Sequence, residues 1–210
     1  MIRSPYGRWW ILFLAGWFGI AATLAERSPE EPAPEPVLNA LQRGMLAEIN
    51  ELMQEGRLAD ADARLGTILE RMPDFNQARQ LHAAVLISLN RYEPAIAELE
   101  ELLRRQPDDP RAMNNLAWML ATSTDLQFRD PARALQLAQD AVLLAPSDFH
   151  IWSTLAEAHR VNANFEQAVK AMMQAIDLAG RRGASAETRE SYRRQFEVIR
   201  EAAAIMSLIE

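Results

Sequence analysis

Three prolines and a glycine divide most of this chain into near-equal lengths. Pro73, Pro107, Pro146 and Gly180 are separated by 34, 39 and 34 residues, and each closes a segment with apolar residues at three- and four-residue steps. Proline removes a backbone donor and clashes with the preceding turn, so it ends helices. An interval of this length holds two short amphipathic helices and their turn. A lone helix pair carries more apolar surface than it can bury, whereas repeated pairs stack on one another and share a continuous core. The spacing therefore predicts an all-α chain built as a solenoid.

The clearest unit, Phe149 to Gly180, carries Trp152, Leu155, Ala156 and His159 in its first helix and Ala168, Met172 and Ala175 in its second. Set against W-x2-L-G-x2-Y, then A-x3-F, then P, this unit resembles the tetratricopeptide repeat (TPR). Ala replaces Gly, His replaces Tyr, Met replaces Phe, and Gly ends the unit. The segment 76–107 matches through Ala83, Tyr92, Ala95, Leu99 and Leu102, with His82 where the family prefers Leu. The segment 110–146 matches through Leu116, Ala117, Leu120, Ala134, Ala138 and Ala141. It is five residues longer than its neighbours, and the excess falls in Thr122 to Asp130, where Asp130-Pro131 reads as an N-cap and first helical residue. Gly56, Leu58, Ala61, Leu65 and Ile68 mark a divergent first unit over about 42–73. The resemblance implies about four helix pairs within 38–183.

An open stack needs a cap, and 184–210 supplies one. Ser185 is placed to N-cap a helix in which Tyr192, Phe196, Ile199, Ala203 and Met206 form an apolar stripe. Arg189, Arg193, Arg194 and Arg200 fall mainly on other faces, among Glu190, Glu197 and Glu201, and read as a solvated surface.

The N-terminal end reads as a location signal. Arg3 and Arg8 precede an apolar run, Trp9 to Ala25, and an acidic Pro-rich linker, 26–37, follows. At ~1.5 Å per residue the run would span about 25 Å as an apolar helix, short of a ~30 Å bilayer core but workable with Tyr6, Trp9 and Trp10 at the interface. Two readings stand: a signal anchor over 1–25, or a signal peptide cleaved after Thr23-Leu24-Ala25. The length of the run favours the anchor. In both, the arginines stay in the cytoplasm and the repeats lie outside it, on the periplasmic side of a bacterial membrane.

Nothing in the sequence assembles a catalytic site. His82, His150 and His159 lack metal-ligand spacing, and neither a phosphate loop nor a nucleophile motif occurs. No metal, cofactor or small-molecule substrate is expected, and no enzyme activity. A net charge of -7 disfavours nucleic acid as a partner, and the absence of cysteine excludes disulfides and thiolate sites.

The resemblance implies instead that first helices line a concave, protein-binding face. On that face the sequence places Arg111, Asn114 and Trp118 in one repeat and His150, Ser153, Glu157 and Arg160 in the next. Trp118 has two readings: an exposed anchor beside Arg, or a core residue. Asn114 and Asn115 are similar to the carboxylate-clamp repeats, but Gln80 and Ala84 stand on the neighbouring helix in place of that subfamily's Lys and Arg, so the clamp function is not carried over. The whole looks like the small single-span repeat proteins of bacterial envelopes. The expected function is a non-enzymatic adaptor or scaffold for a protein partner. The alternatives are an accessory subunit of a membrane enzyme complex and a self-associating scaffold.

Overall fold

Helix boundaries follow the punctuation of the sequence. The computed structural model describes residues 39–206 and 208. The expectations for the anchor or signal segment and for the linker lie outside these residues. The first pair is α1 (Ala40–Gln54) and α2 (Leu58–Arg71), and the second is α3 (Asn76–Ser88) and α4 (Tyr92–Arg105). The third is α5 (Pro110–Thr122) and α6 (Pro131–Leu144), with a 3-10 turn, Leu126–Phe128, between them. The fourth is α7 (Phe149–Val161) and α8 (Phe165–Arg181), and α9 (Ala186–Met206) follows. Among the described residues all regular structure is helical, and no helix is long and apolar enough to cross a membrane.

Local chemistry sets the ends. Asn39 and Gln42 form a reciprocal capping box on α1. Asp109, Asp130 and Asp148 cap α5, α6 and α7 through backbone N–H groups, with Pro110 and Pro131 in the first turn. The Ser185 hydroxyl accepts from the Thr188 N–H at the start of α9. One terminator differs from expectation. Gly180 lies inside α8, and it is Gly183, at φ +68, that makes the left-handed turn into α9.

The turn inside each pair also repeats. Gly56 (φ 73), Asn90 (φ 57) and Ala163 (φ 57) hold the same left-handed position after α1, α3 and α7. The third pair replaces that turn with the longer 123–130 segment. This segment docks backwards onto the second pair. Phe128 lies 5.6 Å from the Tyr92 ring, and the Tyr92 hydroxyl bonds Thr124 Oγ1 at 2.8 Å.

Packing separates two apolar clusters that share α3. Leu46, Ile49 and Met53 of α1 meet Ala61, Leu65 and Ile68 of α2, Phe75, and Ala78, Leu81 and Val85 of α3. Ala83, Leu86 and Ile87 of α3 turn the other way, into a larger cluster that runs through α4–α9. Alanines at the helix crossings, such as Ala95, Ala117, Ala134, Ala156, Ala168 and Ala175, are fully buried, which lets the helices approach closely. First helices touch first helices, α3 to α5 and α5 to α7, more extensively than second helices touch one another. That asymmetry curves the stack with first helices inside.

Candidate partner-binding face

The inner row is anchored before it can bind. Gln80 Nε2 of α3 donates to Asp109 Oδ2 at 2.8 Å, and Asp109 Oδ1 accepts from the Arg111 and Ala112 backbone N–H groups. One carboxylate thus caps α5 and ties it to the preceding repeat. Arg111 is half-buried near the mouth of this contact, and its charge acts on Asp148 of the next repeat.

Solvent exposure of the six singled-out residues departs from expectation at Asn114, His150 and Glu157, and decides between the two readings of Trp118. Asn114 is 2% exposed, Trp118 4%, His150 6% and Glu157 5%, while Arg111 and Arg160 keep intermediate exposure. Helical spacing sorts residues onto a face, but it does not say how tightly neighbouring helices close over that face. Trp118 belongs to the larger apolar cluster, so its core reading holds.

Among the singled-out residues, the buried Glu157 and His150 have polar partners, whereas Asn114 keeps one unbonded atom. Glu157 accepts from Arg160 through both oxygens, at 2.8 and 2.5 Å, and this bidentate pairing compensates the burial of its charge. Arg160 is therefore a structural partner as well as a rim residue. The Tyr192 hydroxyl of α9 lies 2.9 Å from His150 Nδ1, and Ser153 Oγ lies 3.2 Å from Gln195 Oε1. Burial pushes the His150 imidazole down to about 4, so the ring is neutral, and its tautomer sets whether the phenol or the Nδ1–H donates across this contact. Burial also raises Asp148, outweighing the His150 and Ile151 backbone N–H groups and the nearby Arg111 and Arg182 charges. The exception is Asn114. Its Nδ2 reaches Asn115 Oδ1 at 3.3 Å, but its own Oδ1 is buried without a hydrogen-bond partner.

Sequence reasoning missed a second polar constellation. His82 of α3 sits between Asp62 Oδ1 of α2 and Glu98 Oε1 of α4, each 3.0 Å from a ring nitrogen. Both bonds form together only when both nitrogens carry protons, because carboxylates only accept. Arg79 pairs with Glu98, and Arg91 with Asp62. Burial would raise the Glu98 carboxyl, but the His82 hydrogen bond and the Arg79 charge outweigh it and leave Glu98 below its ordinary range. The signal was present: a His in a Leu slot marks a polar group that must find partners. His159, in the family's aromatic slot, is half-buried as a packing residue, and burial lowers its imidazole. Among the described residues no group of three or more His, Asp or Glu is placed to hold a metal ion.

Comparison with known proteins agrees with this architecture. A tetratricopeptide repeat profile matches residues 52–117. The Beta-barrel assembly-enhancing protease of Yersinia pestis is 26% identical over 131 residues, covering 62% of this chain, and this chain spans only 26% of that protein's length. The crystal structure of PilW, a widely conserved type IV pilus biogenesis factor, overlays with a TM-score of 0.58 at 16% identity, covering 78% of this chain and 80% of that one. MamA from Desulfovibrio magneticus RS-1, residues 41 to the end, overlays with a TM-score of 0.55 at 16% identity, covering 80% of this chain and 98% of that one. The matched profile marks tetratricopeptide repeats at residues 52–117, and the stacked helix pairs on either side share the fold of the solved tetratricopeptide-type structures.

Proposed function

We propose that this chain is a non-enzymatic adaptor that holds a protein partner on the inner face of α5 and α7. In this reading it works outside the cytoplasm in a bacterial envelope, tethered or exported by its N-terminal apolar run. TPR folds serve protein-protein contacts, and that much is carried by the fold. The names of two similar proteins, a β-barrel assembly-enhancing protease and a pilus biogenesis factor, both refer to building larger assemblies, which supports an assembly role here. No proteolytic role is proposed, because the sequence carries no nucleophile motif.

The observation that carries the site is the Asn114 carboxamide oxygen. A buried acceptor left unbonded costs about 1–3 kcal/mol, and such a cost is expected where a ligand supplies the missing donor. A backbone N–H of a bound segment is the simplest such donor, reaching the oxygen once the side chains that cover Asn114 move aside, with the half-buried Arg111 and Arg160 contacting its flanks. The test is Asn114→Ala in the full chain. Its folded state should be as stable as wild type or more so, because an unsatisfied group is removed, while stoichiometric capture of the native partner from mild-detergent membranes should be lost. Undiminished capture by this variant removes the inner face from consideration.

Self-association is the second reading, and one observation favours it. Val198, Ile205 and Met206 of α9 are exposed apolar residues at the end of the stack. Sizing of the full chain in detergent over a wide concentration range separates the two, since an adaptor that does not self-associate keeps one size.

A further inference from the structure

The seam between the first and second pairs carries a titratable group at its centre. Helix α3 contributes to both apolar clusters, with Leu81 and Val85 turned to the first pair and Ala83, Leu86 and Ile87 turned to the later helices. His82 lies between these two sets of contacts and is the only histidine in the first two pairs. Its ring reaches out on both sides, Nε2 to Asp62 of α2 and Nδ1 to Glu98 of α4, each at 3.0 Å. The His82 and Glu98 side chains are only 13% and 17% exposed, so water does little to replace a bond lost there.

Charge around the ring balances without its proton. Arg79, one turn earlier on α3, pairs with Glu98, and Arg91, just before α4, pairs with Asp62. Two arginines thus neutralise two carboxylates, and neither form of His82 is excluded by charge. Charges next along the flanking elements pair away from the ring. On α2, Asp60 meets Arg57 and Arg64 meets Glu48 of α1; on α4, Glu101 meets Arg104 and Arg105; at the start of α5, Asp109 accepts from Gln80.

Geometry distinguishes the two forms where charge does not. An imidazolium has two N–H donors and serves both carboxylates. A neutral ring has one, and its bare nitrogen then faces a carboxylate oxygen, acceptor against acceptor. The mismatch falls on α2. Glu98 is kept beside His82 by Arg79 from the same helix, whereas the other partner of Asp62, Arg91, is 52% exposed.

We propose that His82 is a proton-operated clamp between the first helix pair and the rest of the stack. Its imidazolium closes the seam between α2 and α3, and loss of the proton lets the first pair open. The clamp is complete at the acid end of the range in which histidines titrate, about pH 5 to 8, and is lost as pH rises through that range. Glu98 does not reverse the sign there. Burial would raise its carboxyl, but the His82 bond and the Arg79 charge hold it below its ordinary range, so it stays ionised throughout. The device goes beyond the adaptor reading, since it sets how firmly the first repeat is joined whatever the inner face binds.

Amide hydrogen exchange of the full chain, corrected for the intrinsic pH dependence of exchange, tests the clamp. Protection of α1 and α2 should fall threefold to tenfold between pH 5.5 and 8. In His82→Gln, which carries no proton to lose, it should stay level. Asp62→Asn should level it as well, because a carboxamide accepts from one form of the ring and donates to the other. Constant protection of α1 and α2 in the wild-type chain, or the same fall in a folded variant, overturns the proposal. The ring gives a reading that needs no variant: in nitrogen NMR of the wild-type chain, His82 should lose its second N–H over the same pH interval in which α1 and α2 lose protection. Loss of that proton with protection unmoved also overturns it.

Discussion

The two ends of the stack solve the same problem with opposite chemistry. At the N-terminal end, α2, α3 and α4 are stitched by charged groups: Asp62 and Glu98 flank His82, backed by Arg79 and Arg91. At the C-terminal end, α7 and α9 are stitched by neutral ones, Tyr192 on His150 and Gln195 on Ser153. The apolar cores differ in parallel. The first pair has its own cluster, cut off where α3 changes faces, whereas the later helices share one. The lesson is that a repeat protein is uniform in backbone and need not be uniform in cohesion. Salt, acid and truncation should therefore act on different parts of the molecule.

The largest effect should come from the shared core. Trp118→Ala should cost about 3–5 kcal/mol in denaturant unfolding of the full chain, because Trp118 lies inside the larger cluster. An unchanged midpoint would return Trp118 to the surface and break the picture of one continuous C-terminal body.

Acid should attack the C-terminal end first. The folded state holds His150 neutral down to about 4, while the unfolded chain protonates near its ordinary value of about 6.5. Between those values the unfolded state binds more protons, so stability falls as pH falls. The loss is about 3 kcal/mol by pH 4. Asp148, raised by burial, acts in the opposite sense, losing stability as pH rises. Comparison with His150→Asn isolates the histidine: the variant should lack this component of acid sensitivity. Equal slopes for the two chains between pH 7 and 4 would contradict the assignment.

The stitches themselves should separate by salt. His82→Leu removes one hydrogen-bond partner from each of two carboxylates, leaving Arg91 on Asp62 and Arg79 on Glu98, and should cost about 1–3 kcal/mol, less in 1 M NaCl than at low salt. Tyr192→Phe should cost about 0.5–1.5 kcal/mol with no salt dependence. The reverse pattern would undo the comparison between the ends.

The smallest effects sit at one turn, which the first and last pairs fill differently. Ala163 holds φ 57 and Gly56 holds φ 73. Ala163→Gly should stabilise by about 0.5–1 kcal/mol, and Gly56→Ala, with open space around the new methyl, should destabilise by about 1 kcal/mol. Changes of the same sign would show that neighbours, not backbone conformation, govern the turn.

Much of this architecture was legible because it is periodic. Pro73, Pro107 and Pro146 marked the helix ends, Asp130-Pro131 the start of α6, and Ala168 and Ala175 the close crossings, each through a local rule. The site was less legible for a physical reason. Spacing put Asn114, Trp118, His150 and Glu157 on one line, but burial depends on how far the next helix leans over, which no local rule contains. Arg160 illustrates the cost: alone it reads as a free rim charge, yet it neutralises the buried Glu157, so Arg160→Glu would disturb the fold as well as any partner. Likewise, Tyr192 read as one member of an apolar stripe, and its hydroxyl became meaningful only once His150 lay beside it.

The account stands or falls on the claim that the stack is one continuous body from α4 to α8 with a separately breakable first pair. Native-state hydrogen exchange of the full chain in rising denaturant measures this directly. The two-cluster packing predicts that α1 and α2 lose protection together, at lower denaturant than α5–α8, and that His82→Leu lowers the α1–α2 opening cost while leaving α5–α8 in place. Loss of protection in all helices at one denaturant concentration, with His82→Leu shifting them equally, would contradict it.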